Sequence, residues 1–97
     1  IAMGEFRRTP PFNKTAGRDH WGSLMSVMLA GGGLNVGQIV GSSNSRGEVP
    51  LDSPYRPEHI LATAYRHLGI DTEATFTDHA GRPRYVLEQR EIVSELV

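Results

Sequence analysis

Ninety-seven residues with ten basic and eleven acidic side chains carry a formal net charge of −1, and a chain of that length builds one modest core. No basic stripe runs along it, so the composition holds no footprint for nucleic acid or an anionic membrane surface. Cysteine is absent, which removes disulfide frameworks, thiolate metal sites and cysteine nucleophiles; the longest apolar run, Leu24 to Leu34, is cut by Ser26 and three glycines, too short to span a bilayer.

The chain opens on Ile1-Ala2-Met3, a short apolar stretch with no basic residue before it. It reads as the end of a buried strand rather than a signal peptide, and so as a piece of a longer protein. Residues 7–22 are punctuated by Pro10, Pro11, Asn13, Gly17 and Gly22, which argues against a regular element. An irregular segment of that length is uncommon in a compact domain unless it is functional.

Residues 23–30 (SLMSVMLA) are apolar on both alternating faces, with Leu24, Met28 and Ala30 on one and Met25, Val27 and Leu29 on the other. A strand buried on both sides, in a parallel or mixed sheet covered by helices, has this pattern; a short buried helix is the rival reading. Gly31-Gly32-Gly33 predicts a tight strand-to-strand turn, because the spacing onward to Gly37 matches neither glycine-rich phosphate motif. A second strand is predicted at Gln38-Ile39-Val40, followed by a polar, turn-rich connection over 41–57.

The clearest element is a helix from about Pro57 to Leu68. Pro57 and Glu58 suit its first turn, and Gly69 sits where a C-terminal cap belongs. Ile60, Leu61, Ala64, Tyr65 and Leu68 form the apolar stripe; His59, Thr63, Arg66 and His67 fall toward the other side. Beyond it come a turn at Gly81-Arg82-Pro83, an edge strand at Tyr85-Val86-Leu87 and a short terminal helix carrying Ile92, Val93, Leu96 and Val97. The order of elements is an α/β pattern, a sheet flanked by helices. Ligands of open α/β sheets gather beyond the carboxyl ends of strands, and the charged loop leaves such an end after Met3.

Glu5, Asp19 and His20 are the candidate metal ligands. Hard divalent cations take carboxylate oxygens, and zinc accepts carboxylate together with imidazole. Arg7, Arg8 and Arg18 supply guanidinium forks for a phosphate or sulfate ester, with Arg8 and Arg18 the candidate oxyanion clamps. The plainer alternative is a set of surface loop charges, with Arg18 paired to Asp19 and Trp21 packed as a lid. His59 and His67 stand eight positions apart, too far for two ligands of one ion on one helix, and His79 reads as part of a polar turn. No Ser-His-Asp arrangement is legible.

These residues also carry a resemblance. GEFRRTPPFNKTAGRDHW, residues 4–21, resembles the EFGRTP…GRDHW signature of the bacterial DUF1501 family, and the likeness continues through SVMLAGGGLNVGQIVGSSNSRGEVP, RPEHILATAYRHLGID and DHAGRP. The resemblance implies the C-terminal portion of a sulfatase-like protein of the alkaline phosphatase-like superfamily, its sheet flanked by helices and completed by the rest of its own domain. It implies a divalent metal (Zn, Ca, Mg or Mn) and cleavage of a small anionic ester or a sulfated polysaccharide, with the nucleophile outside these residues. A non-catalytic descendant binding anionic polysaccharide or a protein partner is the alternative, and periplasmic or exported localisation goes with the family. Glu5-Phe6 stands where catalytic relatives carry an Asp-His ligand pair, His20 resembles a later histidine ligand, and Thr63 resembles the threonine of the helix that follows the core strands. Phe6 cannot bind metal, and Arg7 or Arg8 replaces a glycine of the motif.

Overall fold

A computed structural model describes all residues from Ile1 to Val97. The chain is mixed α/β, with small antiparallel sheets and one α-helix, and divides into two compact units, Ile1–Pro54 and Tyr55–Val97.

In the first unit, β1 (Ala2–Met3) pairs with β4 (Val27–Met28), and β2 (Arg7–Arg8) pairs with β3 (His20–Trp21), both antiparallel. Met3 lies opposite Val27 and Arg7 opposite Trp21, so residues 4–6 span the interval that residues 22–26 span on the other side. The longer side bows out, and the two ladders form one interrupted ribbon. Bonds from Arg7 N to the Leu24 carbonyl (3.1 Å) and from Thr9 N to the Asp19 carbonyl (2.9 Å) extend it on either side. Further on, β5 (Ser42–Ser43) pairs irregularly with β6 (Pro50–Asp52).

Four expectations are corrected here. The segment 7–22 is not wholly irregular, because both of its ends pair. The run at 23–30 is neither doubly buried nor part of a parallel sheet: only Val27–Met28 is strand, in an antiparallel pair, with Met28 66% exposed. No strand forms at 38–40, where Ile39 is 95% exposed, and pairing occurs instead inside the connection at 42–52. Gly31, Gly32 and Gly33 all adopt positive φ and close a turn through Leu34 N to the Gly31 carbonyl, but the strands on either side do not pair with each other. Apolar alternation reports which residues can be buried. It does not report whether anything packs on them, and no residue of this unit is buried.

In the second unit, α1 (Pro57–His67) forms as its end signals predict. The His59 ring closes the first turn by accepting the Arg56 N–H at Nδ1 (3.0 Å). At the other end, Gly69 N–H reaches the Arg66 carbonyl (3.1 Å) and Ile70 N–H the Tyr65 carbonyl (2.9 Å). That is a Schellman cap, and it needs the positive φ of Gly69 (71°). Next, β7 (Thr75–Thr77) and β8 (Pro83–Tyr85) make a hairpin whose turn is tied by Asp78, and a 3₁₀ turn at Ser94–Leu96 ends the chain. The edge strand thus lies two residues earlier than predicted, and the terminal helix is a single 3₁₀ turn.

The helix buries the face opposite to the one its apolar stripe predicts. His59, Ala62 and Thr63 are buried, whereas Leu61 (41%) and Leu68 (67%) are exposed. The reason is a hydrogen-bonded clasp. Thr63 Oγ1 donates to the His59 carbonyl (2.7 Å) and accepts the Val93 N–H (2.9 Å), which draws the C-terminal segment onto that face. Val93 and Leu96 are buried with it, together with Leu87. Every buried side-chain polar atom has a partner.

The Tyr55 hydroxyl donates to Glu95 Oε2 (2.6 Å) and joins the start of this unit to its end. That bond, ahead of a backbone bond, holds the Glu95 carboxyl below its ordinary value of 4.5. A depressed folded-state value stabilises the fold above pH 4.5, and the contribution fades as pH falls from there through the lower folded value. Tyr55→Phe is therefore expected to flatten the acid limb of the melting temperature plotted against pH. Thr63→Val leaves the buried Val93 N–H without an acceptor and is expected to cost about 1–3 kcal/mol in denaturant unfolding.

Candidate functional site

The candidate residues lie on the ribbon of the first unit. Residues 9–19 close its end, and Asn13 organises that closure. Its Oδ1 accepts from Thr15 N (3.0 Å), Thr15 Oγ1 (2.9 Å) and Gly17 N (2.9 Å), while Nδ2 donates to Asp19 Oδ1 (3.0 Å). Asn13 N also bonds the Gly17 carbonyl (2.8 Å), which leaves Ala16 at a φ of 60°. Thr9 Oγ1 accepts from Asp19 N (3.0 Å). The loop is held by side chains that mimic backbone partners, as asparagine and threonine commonly do in turns.

Arg8 stands directly across the ladder from His20. Phe6, two residues before Arg8, lies with its ring 4.1 Å from the His20 ring, and the Arg8 guanidinium is 5.7 Å from the Phe6 centroid. The Arg8–His20 pairing and the contact of the Phe6 ring with His20 put these three residues on one face of the ribbon. Arg7 and Trp21 take the other face. There Trp21 Nε1 donates to the Glu48 carbonyl (2.7 Å), and the Arg7 guanidinium lies over Gly47, where an added Cβ would stand 3.6 Å from it. That distance is an ordinary contact, so what disfavours a side chain at Gly47 is its φ of 67°.

Arg18 is not paired with Asp19. Its guanidinium lies over the Phe12 ring, 4.7 Å from the centroid, and its carbonyl accepts a long bond from Arg8 (3.4 Å). The Asp19 carboxylate is turned to Asn13 instead. Trp21 is half-buried, as a packed lid would be, and its N–H is satisfied by the 44–48 turn.

Glu5, Arg8, Arg18, Asp19 and His20 are all exposed. Neither Arg8 nor Arg18 forms an ion pair, and no side-chain hydrogen bond holds Glu5 or His20. As a donor set, two carboxylates and an imidazole suit a borderline divalent ion such as zinc. The geometry is less complete: no three His, Asp or Glu side chains come together to hold an ion. Asp19 is adjacent to His20 on the ribbon, and neighbouring strand residues face opposite ways. Glu5 lies in the bend between the two ladders, where backbone pairing fixes nothing about its direction.

Sequence reasoning marked Asn13 only as a turn former and missed its hydrogen-bond network, the role of Thr9 and the contact of Trp21 with Glu48. The first had a readable signal, because asparagine two residues before threonine and four before glycine is a turn-forming pattern. The last had none, since it joins residues 27 apart. Asn13→Ala removes four bonds at once and is expected to speed amide exchange at Thr15 and Gly17 about tenfold or more, while Lys14→Ala leaves both unchanged.

No curated protein and no solved structure matches the chain. A family model does, the one described as "Protein of unknown function (DUF1501)", and it covers residues 1–97. The GEFRR…GRDHW ribbon and the EHILATAYRHLGID helix thus lie within one continuous match, and the chain belongs to the DUF1501 family.

Proposed function

We propose that the ribbon of the first unit forms the anion-facing rim of a metal-dependent hydrolase of sulfate or phosphate esters, within an alkaline phosphatase-like sheet to which these residues contribute. The observation that carries this reading is the Arg8–His20 cross-strand pair, with Arg18 bonded to Arg8 through its carbonyl and no carboxylate neutralising either guanidinium. Arg8 and Arg18 hold the anionic oxygens of the ester and the charge that grows on them in the transition state. Glu5 and His20 contribute ligands to a divalent ion whose remaining ligands come from outside these residues, and Asp19, turned to Asn13, supports the loop that carries His20. When bound, that ion neutralises ester oxygens and activates a nucleophile. The Asn13 network keeps Asp19 and the loop at fixed positions, so that the rim is preorganised before the ester arrives. Substrates of this chemistry include sulfated surface polysaccharides, which fits an exported protein.

In the intact protein, Arg8→Ala and Arg18→Ala are each expected to raise KM for 4-nitrophenyl sulfate or 4-nitrophenyl phosphate about tenfold, with bound metal unchanged by elemental analysis. His20→Ala and Glu5→Gln are expected to lower bound divalent metal instead, by about tenfold or more. Metal content and hydrolysis that both survive His20→Ala would end the reading.

One observation favours a second reading. Phe6 packs on His20 at 4.1 Å, so an apolar ring covers one face of the proposed ligand. In that reading the same arginines bind sulfated polysaccharide without cleaving it. Dextran sulfate would then be retained by the metal-free intact protein and released by Arg8→Ala.

A further inference from the structure

A shallow cavity of about 540 Å³, wide open to solvent, lies in the second unit between the C-terminal half of α1 and the segment 90–92. It is independent of the ribbon. Ala62, Ile70 and Ile92 give it apolar lining, and Arg66 and Arg90 line it as well. Two carboxylates, Asp71 and Glu91, share the lining, and the expected result would be ion pairs with these arginines. None forms. Asp71 Oδ1 instead accepts the Glu73 N–H (2.9 Å), and Glu91 lies 3.6 Å from His59 Nε2. Arg66 is left without a side-chain partner. Arg90 is braced by stacking on Tyr85, with the guanidinium carbon 4.1 Å from the ring centroid, and this contact leaves the edge of its fork open. Neither acid pairs with a guanidinium, since Asp71 turns one oxygen to the Glu73 N–H and Glu91 lies toward His59, and both guanidiniums keep their donors available.

We propose that this cavity binds a small organic anion, its apolar body against Ala62, Ile70 and Ile92 and its oxyanion head at Arg66 and Arg90. Guanidinium forks match carboxylate and phosphate oxygens in pairs, and an apolar floor beside a few polar groups is the usual composition of a small-molecule site. The remaining oxygens of the two acids, Asp71 Oδ2 and Glu91 Oε1, add acceptors for a hydroxyl on the ligand, so an anion that also carries a hydroxyl binds more tightly than one without.

The test is a titration of the full chain with benzoate and with phenyl phosphate, followed by amide chemical shifts. Saturable shifts at Gly69, Thr72 and Ile92 with a Kd below about 1 mM are expected, as is binding at least about tenfold weaker for neutral benzyl alcohol. Arg66→Ala is expected to weaken both anions about tenfold, and Arg66→Lys less, because an ammonium keeps the charge but not the fork. Arg90→Ala should do the same, and circular dichroism of each variant reports whether α1 is retained. Should Arg90→Ala disturb the fold by losing its contact with Tyr85, Arg66→Ala alone decides. Absence of saturation up to about 10 mM, equal binding of benzyl alcohol, or shifts confined to residues 6–21 would overturn the proposal. Arg8→Ala combined with Arg18→Ala separates it from the ribbon reading, since binding at the cavity is expected to survive that pair of changes.

Discussion

Backbone pairing between residues 1–9 and 19–28 is the constraint on which the candidate site rests. It puts Ala2 opposite Met28, Arg8 opposite His20 and Thr9 beside Asp19, and so decides which charged side chains are neighbours. A shift of one residue between the strands would put Arg8 and His20 on opposite faces, because side chains alternate along a strand. The register is pinned from both directions. Asn13 fixes the closed end, and Trp21 ties the opposite face to the 44–48 turn through the Glu48 carbonyl.

The two units keep their shape by different means. The first buries no residue and relies on turn hydrogen bonds, ring contacts and short ladders. The second has a small core of Ala62, Leu87, Val93 and Leu96, with one hydroxyl at its centre. Thr63 satisfies a helical carbonyl and a distant amide together, and this matters because an unpaired polar group at 2% exposure would go without water. That requirement outweighs the wider apolar stripe carrying Leu61 and Leu68. The arginines follow a common pattern as well. In both units guanidiniums stack on aromatic rings, Arg18 on Phe12 and Arg90 on Tyr85, which fixes them in place without neutralising them.

Much of the local structure was legible because its causes are local. Pro57, Glu58 and Gly69 marked the ends of α1 to within a residue, since Pro suits a first helical turn and only glycine takes positive φ cheaply. The turn at Gly81 was legible for the same reason. The strands were read less well. Apolar runs at 23–30 and 38–40 suggested burial that no partner in their unit supplies, while the short ladders at 7–8, 20–21, 42–43 and 50–52 run through polar or turn-forming residues. Of the candidate site, residue types were legible and contacts were not: Arg18 with Asp19 looked a natural pair, yet Phe12 and Asn13 took those two side chains separately.

What the sequence determined alone was the chemistry available and the places where the backbone must turn. It placed guanidinium, carboxylate and imidazole groups on a segment rich in turn formers, set the limits of the helix, and carried the family's motifs in order across residues 1–97. Tertiary structure decided which face of the helix is buried, which arginines are left without a carboxylate, and that Phe6 rather than a ligand lies against His20. The division follows from range. Turn and cap energies depend on a few consecutive residues, whereas burial and charge pairing depend on groups that the chain brings together from positions such as 63 and 93, whose separation along the chain carries no signal of their meeting.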